Sequence, residues 1–351
     1  MNRNINKKSL NGFINYGIVI AAFLVIQVLL GAGKISNSLQ SLLVPACCYI
    51  VMAVSLNLTV GILGELSLGH AGFMSLGAFS GIVVSILLQS AIPMAPLRLA
   101  VSMVVGALFG ALGGVIVGVP VLRLQGDYLA IVTLAFGQII QNIIMVLYMG
   151  VDENGFHIAA SSDRFDLAAD GTAIIKGPMG AVGVSKLATF TAGFVLILIT
   201  LVVVQNLVNS RSGRAIMALR DNRIAAESVG INVTKYKLMA FVTSAALAGA
   251  AGALFGLNYS STVASKFDFN TSILVLVFVV LGGLGSIRGS IIAAALLYVL
   301  PEMLRQFDIA EYRMLIYAIV LILVMLATNN DTVKGLAARI IPKRKGGADN
   351  G

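Results

Sequence analysis

Eight long stretches of this chain contain no charged residue: 9–33, 35–64, 66–97, 99–122, 128–151, 187–210, 238–265 and 269–287. Shorter clean runs cover 289–301 and 314–330. A bilayer core takes about 20 mostly apolar residues per helix, so the runs read as membrane spans. A large helical core in water would need polar faces recurring at helical spacing, and these runs have none. Composition agrees, at 58% apolar and 11% charged, against roughly 45–50% and about 25% in an ordinary soluble domain. In water such a surplus would lie exposed in large apolar patches. The expected fold is therefore an all-α integral membrane protein: one polytopic helical bundle, residues 1–351, of about ten transmembrane helices with Gly-broken segments.

The spans are placed near 13–33, 42–62, 73–90, 99–119, 128–149, 187–208, 238–258, 272–285, 289–304 and 312–328. With ten spans both termini share one side, and two thirds of the 24 lysines and arginines fall in loops on that side. The richer side is expected to be cytoplasmic. Net charge of +9 thus orients the chain and does not point to nucleic acid. Arg3, Lys7 and Lys8 precede an apolar stretch as in a signal peptide, but 13–33 is longer than a signal core, so an uncleaved first span is expected. Cys47 and Cys48 are neighbours within a run, with neither disulfide nor metal-ligand spacing, and read as small packers. Two connections exceed a turn: an external loop at 150–186, with Asp152, Glu153, Asp163, Asp166 and Asp170, and a cytoplasmic segment at 209–237. The tail 334–351 is basic and then Gly-rich, and is expected to be flexible.

Much of the glycine lies within spans. Gly106, Gly110, Gly113, Gly114 and Gly118 recur along one run, and Gly249, Gly252 and Gly256 along another. Small residues three and four apart let helices approach closely where lipid supplies no hydrophobic drive to pack.

Polar groups inside such runs are costly and carry the functional information. Gly64-Glu65-Leu66-Ser67-Leu68-Gly69-His70-Ala71-Gly72 cannot make a good lipid-facing helix. It is either a broken segment lining a pathway or a cytoplasmic turn in which Ser67 and His70 satisfy helix ends. The Gly282-Gly283-Leu284-Gly285 stretch interrupts another run. Asp127 reads as an interfacial N-cap. Beyond Thr133, residues Gln138, Gln141 and Asn142 share a helix face, which must meet other helices or a water-filled path.

The segment 209–237 reads as two short helices. Asn209 or Ser210 caps the first toward Leu219; Asp221 or Asn222 caps the second through Val229, and Gly230 leaves the helix with positive φ. Ala225, Ala226 and Glu227 give the second helix a small surface suited to docking in a partner's groove, flanked by Arg214, Arg220 and Arg223. The alternative is a surface helix on anionic headgroups, which usually carries bulkier anchors than Ile224 and Val229.

No Gly-x-x-x-x-Gly-Lys-Ser/Thr loop occurs, so phosphate-loop ATP binding is not expected. No zinc-protease pair, nucleophile elbow or Cys/His cluster occurs either, and with two histidines an imidazole enzyme has little to work with. An ion-coupled transporter should bury acids near the bilayer middle, whereas Glu65, Asp127 and Glu302 lie near span ends. The chain reads as a pathway without an engine.

Four stretches carry a family resemblance: LNLTVGILGELSLGHAGFMSLGAF within Ser55–Phe79, GDYLAIVTLAFG at Gly126–Gly137, GRAIMALRDNRIAAESVGINVTKYKLMAFVTSAALAGAAG ending at Gly252, and LGGLGSIRGSIIAAALLYVLPEMLR at Leu281–Arg305. They resemble the permeases of bacterial branched-chain amino acid ABC importers, specifically the second of the paired permeases. The resemblance implies a bacterial inner-membrane importer for leucine, isoleucine and valine. Its partners would be a sister permease, two cytoplasmic ABC ATPase subunits and an external substrate-binding protein facing 150–186. It also implies that the coupling helix is Asn222 to Gly230 and that ATP is bound by partner subunits, with no cofactor or metal on this chain. Permeases for urea and other short amides share much of the pattern. The family's external Gly-Gly-x-x-Gly is here Lys176-Gly177-Pro178-Met179-Gly180, and Ala327-Thr328-Asn329-Asn330 replaces its usual Arg-Pro-x-Gly-Leu.

Overall fold

The computed structural model describes residues 2–33, 36–121, 127–152, 155–162, 165, 171–305, 319 and 322. The chain divides into two compact units, residues 1–296 and a short one of 297–351. Apart from residues 319 and 322, the expected span at 312–328 lies outside the described residues, as do the tail 334–351 and Glu153, Asp163, Asp166 and Asp170.

Every apolar run within the described residues is helical over most of its length. In chain order the helices are α1 (Asn2–Gly31), α2 (Asn37–Asn57), α3 (His70–Leu87), α4 (Ala95–Val121), α5 (Asp127–Val146), α6 (Phe190–Asn209), α7 (Arg211–Asp221), α8 (Arg223–Ser228), α9 (Val233–Gly256), α10 (Phe269–Gly282) and α11 (Ile287–Arg305). A π-helical turn, Leu58–Leu63, prolongs α2. Six spans among the described residues are long and apolar enough to cross a bilayer: 39–63, 70–87, 95–121, 128–146, 190–209 and 233–256. Asn15–Gly31, Phe269–Gly282 and Ile287–Pro301 are shorter apolar helices. Asp127 is the first helical residue of α5 and does not stand before it as a cap.

Packing follows the glycines. The Gly249 Cα lies against α4 so closely that a Cβ there would meet the Gly106 carbonyl oxygen at 2.2 Å. A Cβ at Gly77 would fall 2.0 Å from the Gly249 oxygen, and one at Gly252 1.9 Å from the Met74 oxygen. Helices α3, α4 and α9 therefore touch backbone to backbone. The opposite side of α4 presents Val104, Leu108, Leu112 and Ile116, each at least 60% exposed. Small side chains face in and large ones face out, the reverse of a soluble helix and the arrangement lipid favours. Aromatic contacts fill the wider gaps, as where Phe73 and Phe241 meet edge to face at 5.6 Å.

The all-α expectation is corrected at one end of the bundle. Strands β1 (Tyr148–Asp152), β2 (Gly155–Ala159), β3 (Thr172–Lys176), β4 (Ala181–Val182) and β5 (Ser261–Thr262) form one sheet, ordered β2-β1-β3-β4-β5. All its pairs are antiparallel, with Met149 opposite Ile158 and Ile175, a bulge after Met149, and Ala181 opposite Thr262. β5 comes from the α9–α10 connection, so the sheet joins it to the α5–α6 connection. Asp152 and His157 pair at 2.9 Å within the sheet.

Candidate functional site

The other end of the bundle gathers the polar groups, and the π turn lies at its centre. Thr59 accepts from both the Gly64 and Glu65 amides, and Gly64 ends the turn at φ +82. A side chain at Gly64 would also collide with Arg220, whose Cγ would be 2.6 Å from its Cβ. From there the chain runs unhelical to Gly69.

Each residue of that segment has a distinct environment. Glu65 pairs with Lys237 of α9, whose side chain is 5% exposed. Ser67 is buried and its hydroxyl has no hydrogen-bond partner among the described residues. The Leu68 amide donates to Thr133 Oγ1 at 3.1 Å. Gly69 sits where a Cβ would fall 2.1 Å from the Thr133 carbonyl oxygen. His70 opens α3 and is buried, its Nε2 2.9 Å from Ser55 Oγ. Since the Ser55 hydroxyl donates to the Met52 carbonyl, it must accept from His70, so Nε2 carries the proton. Ser244 Oγ donates to the Ser55 carbonyl at 2.5 Å, and the Ala71 amide donates to Ser272 Oγ. These bonds meet the desolvation cost of polar groups buried among apolar helices.

The α10–α11 connection is held to the same turn. Gly283 and Gly285 have φ of +91 and +80, which side chains rarely adopt. The Gly285 amide donates to Asn57 Oδ1 at 2.8 Å, and Asn57 Nδ2 donates to Ser290 Oγ at 2.9 Å. Gly282 packs on Gly289, where a Cβ would fall 1.6 Å from the Gly282 oxygen. Asn57 is fully buried.

The segment 209–237 forms as its cap residues dictate. Ser210 accepts from the Gly213 amide, Asn222 from Ala225 and Asn232 from Lys235. Gly230 follows α8 at φ +84. Leu219, Ala226 and Val233 pack together beneath the two helices, and Ile216 joins Leu58, Ile62 and Leu63. Ile224 and Val229 are 80% and 75% exposed, and Arg214, Ala225 and Glu227 also face outward. Arg223 and Glu227 form a loose i,i+4 pair at 3.9 Å. Two residues of the expected docking face also bind inward: Ala226 is the buried anchor, and Arg220, itself exposed, donates to the Gly61 carbonyl at 3.0 Å while pairing with Asp221. Asn222 caps α8, as the sequence suggests.

The amide stripe on α5 is only partly turned inward. Gln141 is buried, Gln138 is half-buried and Asn142 is exposed, so they do not join the Ser55–His70 cluster that Thr133 borders. An apolar groove of about 740 Å³ between α4, α6 and α9 is lined by none of the candidate residues. Sequence reasoning missed Ser55, Asn57, Lys237, Ser244, Ser272 and Ser290. Asn57 carried a readable signal, an amide in a long apolar run. Lys237 did not, standing at a run's edge where a lysine ordinarily reaches water.

Residues 38–325 match the family model described as branched-chain amino acid transport system / permease component. The high-affinity branched-chain amino acid transport system permease protein LivM of Escherichia coli K12 is 34% identical over 296 residues, covering 79% of this chain and 66% of LivM. The chain thus spans just under two thirds of that relative. LivH of Salmonella typhimurium is 33% identical over 117 residues, 33% of this chain and 38% of LivH. The ribose import permease protein RbsC of Haemophilus influenzae is 28% identical over 288 residues, 80% of this chain and 81% of RbsC. No solved structure gives a significant match.

Proposed function

The chain belongs to the branched-chain amino acid transport system permease family, and from that premise we propose that it is the membrane permease of an ATP-binding-cassette importer. With a homologous sister permease it forms the pathway for leucine, isoleucine and valine. An external binding protein delivers them, and two cytoplasmic ATPase subunits supply the energy. The kinship with LivM supports the substrate class. About ten spans, with both termini in the cytoplasm of a bacterial inner membrane, agree with the charge distribution. The chain itself carries no cofactor, and ATP is hydrolysed by its partners.

One observation carries this reading. Helix α8 is capped at one end by Asn222 and closed at the other by Gly230, rests on Ala226, and exposes Ile224 and Val229. A six-residue helix is too short to be stable alone. Held on a rigid base with apolar side chains outward, it is an anchor for a groove on another protein. Arg214, Arg223, Ala225 and Glu227 border the docking face. Across the membrane, the sheet built from 148–182 and 261–262 gives the binding protein a landing surface. At the end opposite the sheet, Glu65, Ser67, Gly69, His70, Thr133 and the Gly282–Gly285 break are taken to border the pathway, with Gln138 and Asn142 turned toward the sister subunit or lipid and Gln141 covered within the bundle.

Reconstitution tests the reading. The chain alone in proteoliposomes should show neither ATP hydrolysis nor leucine uptake, and the whole assembly with internal ATP should accumulate leucine. Uptake by the chain alone on a proton or sodium gradient would overturn it. Competition by valine and isoleucine but not urea separates the branched-chain substrate from short amides.

A further inference from the structure

The π turn is gripped on both sides by segments remote in sequence. Its start, Asn57, holds the α10–α11 connection through Gly285 and Ser290. Its end is held from the α7–α9 side, by Arg220 on the Gly61 carbonyl and Lys237 on Glu65. The grips meet without slack, since a Cβ at Gly61 would lie 2.2 Å from the Gly285 nitrogen. A displacement of α7 or of the first turn of α9 must therefore push the π turn, and the π turn must push Gly285. We propose that Arg220, Glu65, Lys237 and Asn57 are the positioning residues that carry movement of the ATPase-docking helices α7 and α8 to the α10–α11 break. The reading rests on the docking role of α8 given above.

Three physical features support it. The π turn that ends α2 lacks the regular i to i−4 ladder, and π turns occur frequently at functional sites. A buried ion pair adds little to stability over apolar residues of similar volume, and its best-attested use is to fix register. The Glu65–Lys237 pair fixes the register between the segment that ends the turn and the helix that follows the docking pair. The backbone at Gly61 leaves no room for a Cβ between the layers, and Gly285 holds a φ of +80 that side chains rarely adopt. Coupling through such a chain must be shown by non-additive effects and not by adjacency.

The test uses the complete importer in proteoliposomes, with Glu65→Gln, Lys237→Met, Arg220→Met, the exchange Glu65→Lys/Lys237→Glu, and the apolar double variant Glu65→Leu/Lys237→Met. Uptake and ATP hydrolysis are measured together on assemblies that co-purify at wild-type yield. Lys237→Met and Arg220→Met should each keep ATP hydrolysis within about twofold and lose at least about tenfold in leucine imported per ATP, and Glu65→Gln should lose as much of that ratio. The exchange should recover at least a third of that ratio, and the double variant should assemble but stay uncoupled. An unchanged ratio in Lys237→Met and Arg220→Met overturns the proposal. An arm independent of transport measures the distance between spin labels at Arg211→Cys of α7 and Leu284→Cys, both exposed, in the detergent-purified assembly. One narrow distribution is expected, broadened by Arg220→Met; if Arg220→Met leaves it narrow, the link is refuted. A wild-type assembly that shows the narrow distribution but imports without ATP sinks the importer reading and spares the mechanical one.

Discussion

Lys237 of α9 meets Glu65 across 172 residues of sequence, each side chain almost closed off from solvent. Removing one partner leaves the other charged in a dry place, which costs about 3–5 kcal/mol for a fully buried pair. Glu65→Ala or Lys237→Ala should therefore lower thermal stability in detergent sharply, and Glu65→Leu/Lys237→Met should nearly restore it. Equal losses in the single and double variants would show that the pair acts independently of its charges.

Glu227 faces outward with Arg223 as a loose i,i+4 neighbour, an arrangement worth about 0.3–0.5 kcal/mol. Glu227→Lys should leave stability almost unchanged and reduce uptake by at least about tenfold, equivalent to ~1.4 kcal/mol of docking free energy. Wild-type uptake with normal assembly would remove α8 from the docking face.

Gly230 has open space around its Cα but a φ of +84. Ala there should cost about 1–2 kcal/mol through the backbone alone, and Asn, which tolerates that conformation, should cost less. Pro, locked near −65°, should release the α8–α9 corner and abolish ATP-driven uptake while the chain still inserts. Circular dichroism and uptake, read side by side, check the order Asn, Ala, Pro.

Asn222 caps α8 through the Ala225 amide at 3.0 Å. Asn222→Ala should cost about 1 kcal/mol and speed hydrogen exchange at Ala225 and Ala226, whereas Asn222→Asp should preserve the protection.

Gly252 tests the packing. Gly252→Leu should prevent a folded monodisperse protein, because the Met74 carbonyl lies where its Cβ must go. Gly113→Ala should be tolerated, since its first neighbour is the movable end of Leu76. Size-exclusion profiles after membrane extraction distinguish them.

What could be read from the sequence was what is local. Helix positions followed from uninterrupted apolar runs, and Ser210, Asn222 and Gly230 fell where cap chemistry put them because a cap bonds within its own turn. The sheet escaped notice because its strands span five residues or fewer, and β5 has two, paired to a loop some eighty residues earlier. The fates of Arg220, Ala226 and Lys237 depend on which face of a short helix meets the bundle, and that is decided by the partner helix. The amides on α5 share a face as spacing requires, yet the helix is rotated so that only Gln141 is covered. Periodicity specifies a face and leaves its direction open.

The inverted dress of α4, leucines outward and glycines inward, sets the order of biogenesis. In water this helix would offer its greasy side to solvent and its notched side to nothing. It must therefore enter the bilayer first, as an independent rod, and find α3 and α9 only afterward by sliding until the notches mate. A late-arriving α9 leaves α3 and α4 waiting with bare grooves. Quality control that patrols the membrane would find an immature copy of this chain by those unfilled grooves, since its outer surface already matches that of the finished protein.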